Sequence, residues 1–373
     1  MKGTVVHLRN KAIHTLYTRA LKPLFFRHDP EFIHDQMTRA GILLGLTPVG
    51  KMLTKSLFGY EHPMLEQHVL GIHFKNPIGL SAGFDKNAVL TDIMPHVGFG
   101  FEEVGSITGY PCAGNPKPRL WRLPKSKGLV VYYGLKNEGC EIIAKRLSKK
   151  HFKIPLGISV AMTNCKENVE LSKAIEDYAK AFRTLEPYAS YITVNISCPN
   201  TEGGQPFVDH VKLDALLTHL DKIPTKKPIF IKLSPDMADH ELDRVLDVAR
   251  SHRVQGIICT NLTKKRVNPK ILDSKVPHVG GMSGKTVEDL SDKLLSYIYK
   301  REGKRFVLVG SGGVFSAEDA YRKIRKGATL IQLITGMVFE GPQVISEINY
   351  GLVRLLKRDG FKSVSEAIGV DNR

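Results

Sequence analysis

Eight short runs rich in β-branched and apolar residues, at 77–82, 101–107, 154–161, 191–197, 228–234, 256–261, 306–312 and 330–336, constrain this chain more than any other feature. Helical patterns lie between most of them, at 137–149, 171–185, 239–252, 287–300 and 317–326, and another follows at 342–356. Apolar strands alternating with amphipathic helices pair in parallel with both faces covered, and eight such units close on themselves. The expected fold is α/β, a (β/α)8 TIM barrel with a small N-terminal helical extension and one long irregular insertion at 108–133. The expected division is 1–60 for the extension and 61–373 for the barrel. In such a barrel the polar residues at the C-terminal strand ends meet at one face.

Those ends carry an unusual density of polar groups. The fourth run delivers Asn195, Ser197, Cys198 and Asn200 together, followed by the breakers Pro199 and Gly203-Gly204. Two carboxamides bracketing a thiol can hold a planar, amide-like ligand while the sulfur exchanges a proton at its edge. The alternative is an ordinary polar strand end and turn. Gly312-Gly313 after the seventh run and Thr335-Gly336 after the eighth fit the phosphate cradle of barrel enzymes, because backbone N–H groups and a helix dipole favour a dianion. Lys86 and Lys232 also stand at strand ends, where a lysine is expected to face an anion or a polarised oxygen.

The formal charge of +17 points to an anionic partner, and residues 1–55 concentrate it, with nine Lys/Arg against three acids. Basic runs interleaved with aromatics are missing, so nucleic acid is not the expected partner. Five scattered cysteines without a C-x-x-C pair argue against disulfides, structural zinc or an iron–sulfur cluster, and for a reducing compartment. No metal is expected. No uncharged apolar run approaches the ~20 residues of a spanning helix, and the start lacks the apolar core of a signal peptide. The basic, apolar-faced helical pattern at 14–57, with Asp29 as N-cap and Pro30 in the first turn, suits a peripheral membrane surface as well as a cap on the barrel.

Seven blocks, in order, resemble the dihydroorotate dehydrogenase family. They are Asn76-Pro-Ile-Gly-Leu-Ser-Ala-Gly-Phe-Asp-Lys-Asn87, Gly98-Phe-Gly-Phe-Glu-Glu-Val-Gly-Ser106, Gly114-Asn-Pro-Lys-Pro-Arg-Leu-Trp-Arg122, Asn195-Ile-Ser-Cys-Pro-Asn-Thr201, Lys232-Leu-Ser-Pro-Asp236, Gly280-Gly-Met-Ser-Gly284 and Gly310-Ser-Gly-Gly313. The resemblance runs over nearly the whole chain. It implies FMN as cofactor and oxidation of dihydroorotate to orotate in pyrimidine (UMP) biosynthesis. By motif position it implies that FMN is held by Ala82, Gly83, Ser106, Asn195, Lys232, Thr260, Ser283, Gly284, Gly312, Gly313, Thr335 and Gly336. Substrate would meet Lys86, Tyr133, Gly134, Leu135, Asn195, Asn200 and Asn261, with Cys198 as the base that removes the C5 proton while the C6 hydride leaves for the flavin. A thiol, with an ordinary pKa of about 8.5, is expected to need less help than a serine hydroxyl.

The amino-terminal half is similar to the membrane-associated, quinone-dependent class (class 2), through Asp29-Pro-Glu-Phe-Ile-His34, the approach to the first strand at 65–74, and Arg122. In that class the extension forms an apolar mouth for quinone, and His34 and Arg122 stand on that path. Quinone is therefore the expected acceptor, and the cytoplasmic face of the inner or cell membrane the expected location. Four positions depart from the class pattern besides Cys198, which stands where that class has serine and resembles class 1. Val131 replaces a substrate-contacting asparagine, Ser159 an FMN-contacting asparagine, Leu262 a polar neighbour of Asn261, and Ile334 a tyrosine near the quinone path. These leave open a related flavoenzyme acting on another cyclic amide or ene-carbonyl, or a soluble acceptor such as fumarate. Oligomeric state is not legible.

Overall fold

The computed structural model describes residues 3–201 and 204–372, so Gly203 of the expected breaker pair lies outside the described residues. Eight parallel strands close into a barrel: β1 (Ile78–Leu80), β2 (Phe101–Ile107), β3 (Leu156–Val160), β4 (Tyr191–Asn195), β5 (Ile229–Lys232), β6 (Val254–Cys259), β7 (Val307–Ser311) and β8 (Leu330–Leu333). Each falls inside or overlaps one of the eight expected runs. Closure is made by β8 on β1, with Ile331 opposite Ile78. The strands are buried along their length because barrel filling covers one face and the helical ring the other; most positions are apolar, with Glu102, Glu103 and Thr193 among the buried exceptions. The helix Leu171–Leu185 shows how that ring is specified: Ala174, Tyr178, Ala181, Phe182 and Leu185 recur at helical spacing and are its buried stripe.

The lower end of the barrel is sealed by rings. An antiparallel hairpin, Gln67–Val69 with Ile72–Phe74, brings Val69 and Phe74 against Phe101, Tyr191 and Phe230 at the strand starts. Phe74 and Phe101 meet edge-on at 5.5 Å. Glycines make room for these rings: a Cβ on Gly79 would lie 2.3 Å from Phe101, and one on Gly157 2.2 Å from Tyr191. Access to the interior is thereby confined to the other end.

The insertion at 108–133 is not irregular, contrary to expectation. It contains the strands Leu120–Leu123 and Gly128–Val131, which join Gly281–Gly284 in a three-stranded antiparallel sheet beside the barrel mouth. Four-residue strands paired with a segment 150 residues away leave too short a periodic signal to find locally.

The extension is helical at Gly3–Leu16, Tyr17–Leu21 (a π-turn), Lys22–Phe25, Pro30–Leu46 and Pro48–Phe58. Pro30 and Pro48 occupy first-turn positions where the missing N–H costs nothing, and Asp29 and Thr47 accept from Phe32 N (2.8 Å) and Gly50 N (3.0 Å). The extension is anchored at several points, among them Asn10 to Ser346 Oγ (3.1 Å) and Tyr17 OH to the Val338 carbonyl (2.7 Å). Fourteen of the 23 large apolar side chains left exposed among the described residues nevertheless lie on it. Leu43, Leu46, Val49, Met52 and Leu53 gather around the turn between its last two helices. No helix among the described residues is long and apolar enough to cross a membrane.

Candidate active site

A cavity of ≈ 260 Å³ opens at the C-terminal strand ends, and every site residue expected from sequence lines it, from His34 on the extension to Gly336 after β8. Val131, Leu262 and Ile334 line it too, whereas Ser159 does not. Ser159 is fully buried and reaches the cavity through Ser106, with the two hydroxyls 2.7 Å apart.

One wall is a chain of neutral hydrogen bonds. Asn195 Nδ2 donates to Ser106 Oγ at 2.8 Å, Asn261 Nδ2 to Asn195 Oδ1 and to Ser197 Oγ at 3.1 Å each, and Ser197 Oγ to the Lys232 carbonyl at 2.6 Å. Tyr178 OH secures the end of β4 from behind by donating to the Asn195 carbonyl at 2.7 Å. Both carboxamides are thus fixed in orientation before any ligand arrives.

Lys232 is only 5% exposed, and its ammonium donates to Ser81 Oγ at 3.2 Å. Burial lowers its pKa, while the charges of Glu103 and Cys198 oppose that shift. Glu103 sits deeper, accepting from Thr193 Oγ1 (2.9 Å) and Gln332 Nε2 (3.1 Å). Gln332 Oε1, on the cavity wall, is buried without a partner among the described residues. A buried cation with one neutral acceptor, beside an unpaired amide oxygen, suits a ring that offers both an acceptor edge and a donor. Further round, Gly312 and Gly313 adopt φ of +110° and +76° ahead of the helix Ala317–Arg325, capped by Ser316, and Ser283 Oγ lies 2.8 Å from Thr335 Oγ1. Glycine-rich backbone, hydroxyls and a helix N-terminus thus gather at this rim, the chemistry expected to suit an anion.

Cys198 faces the cavity from the loop after β4. Burial, above all, pushes its thiol up to about 11, against a hydrogen bond from the Asn200 backbone and the charges of Lys264 and Lys232. The thiol stands above its ordinary value because desolvation disfavours the thiolate more than two lysines favour it. Asn200 donates from Nδ2 to the Val131 carbonyl at 2.9 Å, and its Oδ1 is buried without a partner among the described residues. The position that lacks a carboxamide therefore still contributes, through its backbone.

The third wall joins barrel and extension. Lys86 Nζ lies 4.1 Å from the centre of the Tyr133 ring and 3.5 Å from His34 Nε2. Burial lowers Lys86 to about 8, with Lys136 adding repulsion. His34 falls to about 3, by burial first and then by the Lys86 charge, so its imidazole is neutral. Glu31, three residues before His34, is buried against Arg119, at 2.8 Å from Nη2 and 3.0 Å from Nε. Burial pushes Glu31 up, but Arg119, Lys136 and Lys117 outweigh it and hold its carboxyl below the usual range. The Tyr133 hydroxyl is buried without a partner among the described residues, and burial raises its pKa. Gly134 and Leu135 follow with φ of +64° and +61°; for leucine this is an uncommon, strained conformation of the kind held at ligand sites. Arg122 donates to the His28 carbonyl at 2.8 Å and lies over the Phe26 ring at 4.6 Å. Apolar Pro30, Met37, Leu120, Leu129, Phe315 and Val338 line the cavity near it.

Sequence reasoning passed over Glu31, Arg119 and Gln332. Glu31 and Arg119 lie inside blocks quoted above, but charged side chains are ordinarily solvated, and nothing local shows that these two are buried on each other.

A family model described as "Dihydroorotate dehydrogenase" matches residues 64–356. The chain is 36% identical to a dihydroorotate dehydrogenase (quinone) of Nostoc punctiforme, covering 95% of this chain and 98% of that one. It is 38% identical to a dihydroorotate dehydrogenase (quinone) of Natronomonas pharaonis, covering 94% and 98%. Among solved structures, that of DHODH from Eimeria tenella in complex with ferulenol superposes with a TM-score of 0.84 at 29% identity, covering 92% of this chain and 96% of the other.

Proposed function

The chain belongs to the dihydroorotate dehydrogenase family, and from that membership we propose that it oxidises dihydroorotate to orotate in pyrimidine synthesis, with FMN as cofactor and a quinone as acceptor. The observation that carries the reading is the meeting, in one cavity, of Cys198, two buried lysines and a wall of pre-oriented carboxamides. FMN fits what the residues leave unsatisfied. Gly312, Gly313, Ser283, Gly284, Thr335 and Gly336 would hold its phosphate, and Ala82, Gly83, Ser106, Asn195, Thr260 and Lys232 its ring. When bound, FMN supplies the two-electron sink of the reaction.

The remaining chemistry belongs to the chain. Lys86 and the strained turn at Gly134-Leu135 hold the substrate carboxylate. Asn200 Oδ1, which lacks a donor among the described residues, accepts from a ring N–H, and Asn195 and Asn261 fix the ring against rotation. Cys198 takes the proton at the ring carbon. Its thiol must first ionise, which makes solution pH part of the mechanism.

The acceptor enters where Arg122 and His34 interrupt the apolar wall under the extension. The exposed apolar side chains on residues 3–58, together with the basic excess there, support a peripheral membrane role for an extension of about 1–60 on a catalytic barrel of 61–373. That the surface is the cytoplasmic face belongs to the same proposal. Ile334 favours a second reading, a soluble acceptor such as fumarate, because it removes a polar group from the acceptor side. One anaerobic experiment separates the two. Dihydroorotate should bleach the flavin, and quinone, not fumarate or NAD, should restore its colour. Failure of dihydroorotate to bleach a yellow protein would overturn the substrate.

A further inference from the structure

We infer that the helix Pro30–Leu46 builds the substrate-anion site as well as the acceptor mouth: His34 is a positioning residue for Lys86, and Glu31, through Arg119, for Tyr133, so that substrate affinity depends on the extension. The inference rests on the proposed reading in one respect, that Lys86 faces the substrate carboxylate.

An ammonium has three N–H donors and a flexible four-carbon stem, so a lysine binds an anion well only if something else fixes its head. Here two neutral groups do so. His34 Nε2 lies 3.5 Å from Nζ, and the Tyr133 ring lies beneath it at 4.1 Å. Because Lys86 can only donate, Nε2 is the accepting nitrogen and the ring proton sits on Nδ1. The imidazole also hydrogen-bonds the Phe84 backbone, and it packs edge-on against the Phe84 ring at 4.8 Å, in the same loop that carries Lys86. Neither neutral contact cancels the ammonium's charge, and the third donor is left for an anion in the cavity that Lys86 lines.

Tyr133 is held from the same helix. The Arg119 guanidinium also lies over its ring, at 5.2 Å, and is itself fixed by the buried Glu31 and by the carbonyls of Ala113 and Asn115 at 2.9 Å each. The Tyr133 ring, which lines the cavity, is thereby held beside Lys86 and Arg119, while its hydroxyl is buried and unpartnered among the described residues. One turn of the extension, Glu31 to His34, thus supports both groups. That turn and Pro30 just before it contribute His34 and Pro30 to the apolar mouth, so whatever displaces them alters substrate binding.

The test uses oxidised FMN-loaded full-length protein without any quinone. His34→Ala should weaken orotate, measured by calorimetric titration, by about tenfold, the loss expected for one contact to a charged group. Flavin content should be unchanged, and the limiting rate of anaerobic flavin reduction at saturating dihydroorotate should stay within about threefold, a change in binding and not in chemistry. His34→Gln, which keeps an acceptor, should recover most of the affinity. In a Lys86→Met background His34→Ala should add nothing, because the two residues act as one unit. Unchanged orotate affinity in His34→Ala, with only the quinone KM altered, would overturn the inference alone, as would full additivity with Lys86→Met. Wild-type protein that binds no orotate would overturn the proposed function and the inference with it.

Discussion

With Cys198 as base and Lys86 as carboxylate anchor, as proposed, the pH dependence of the reductive half-reaction should be set by two groups that titrate in opposite senses for catalysis. Cys198 must be a thiolate to accept a proton, and burial places its pKa at about 11. The active fraction is then about 10⁻⁴ at pH 7 and about 10⁻² at pH 9, so the limiting rate of flavin reduction should climb roughly a hundredfold between them. Lys86 must be charged to hold a carboxylate, and its pKa is lowered to about 8. Below that value the ammonium is present and affinity is flat; above it the charge is lost, so the dissociation constant should rise about tenfold between pH 7 and 9. The ratio of rate to dissociation constant should therefore gain a factor of ten per unit up to pH 8 and level off beyond it. Anaerobic stopped-flow loss of flavin absorbance at varied dihydroorotate measures both quantities separately. Cys198→Ala should keep its flavin, lose the rate by several orders of magnitude, and lose the slope with it. A limiting rate that is flat from pH 7 to 9, or that levels off near pH 8, would refute the desolvated thiol as the titrating base.

Three further outcomes follow from other parts of the molecule. Lys232→Met removes the buried cation at the cavity floor and should lower the flavin midpoint potential by about 30–60 mV, a tenfold to hundredfold change for a two-electron couple, measured by dye-coupled reductive titration. Replacing Leu46, Val49 and Met52 together by serine should abolish flotation with anionic vesicles, since each side chain contributes about 1.5–3 kcal/mol on burial, yet leave bleaching by dihydroorotate intact. Phe101→Ala empties the space that Gly79 leaves at the sealed barrel end and should cost about 3–5 kcal/mol, seen as a lowered unfolding temperature with the flavin spectrum of the surviving folded protein unchanged.

What could be read from sequence divides along a physical line. Strand runs such as 191–197 and 330–336 were legible because a barrel strand buried on both faces is mostly apolar and β-branched, and their polar ends converge by topology alone. That is why the sequence alone puts Lys232, Cys198 and Asn261 on one face. The sheet built from Leu120–Leu123, Gly128–Val131 and Gly281–Gly284 was not legible, because its pairing is long-range and its strands are four residues each. Electrostatics was the least legible part. The sequence shows the type of residue at Cys198 but not its burial, which raises the thiol despite two nearby lysines. Glu31 and Arg119 read as two surface charges, whereas together they are a buried pair at the junction of extension and barrel. Removing only one member of such a pair strands the other's charge, at about 3–5 kcal/mol. Loss of Glu31 would therefore fall on Arg119 and, through it, on the Tyr133 ring. The fold puts a buried charge pair of the extension directly behind the residues proposed to read the substrate carboxylate, which ties the integrity of the extension to the occupancy of the site beneath it.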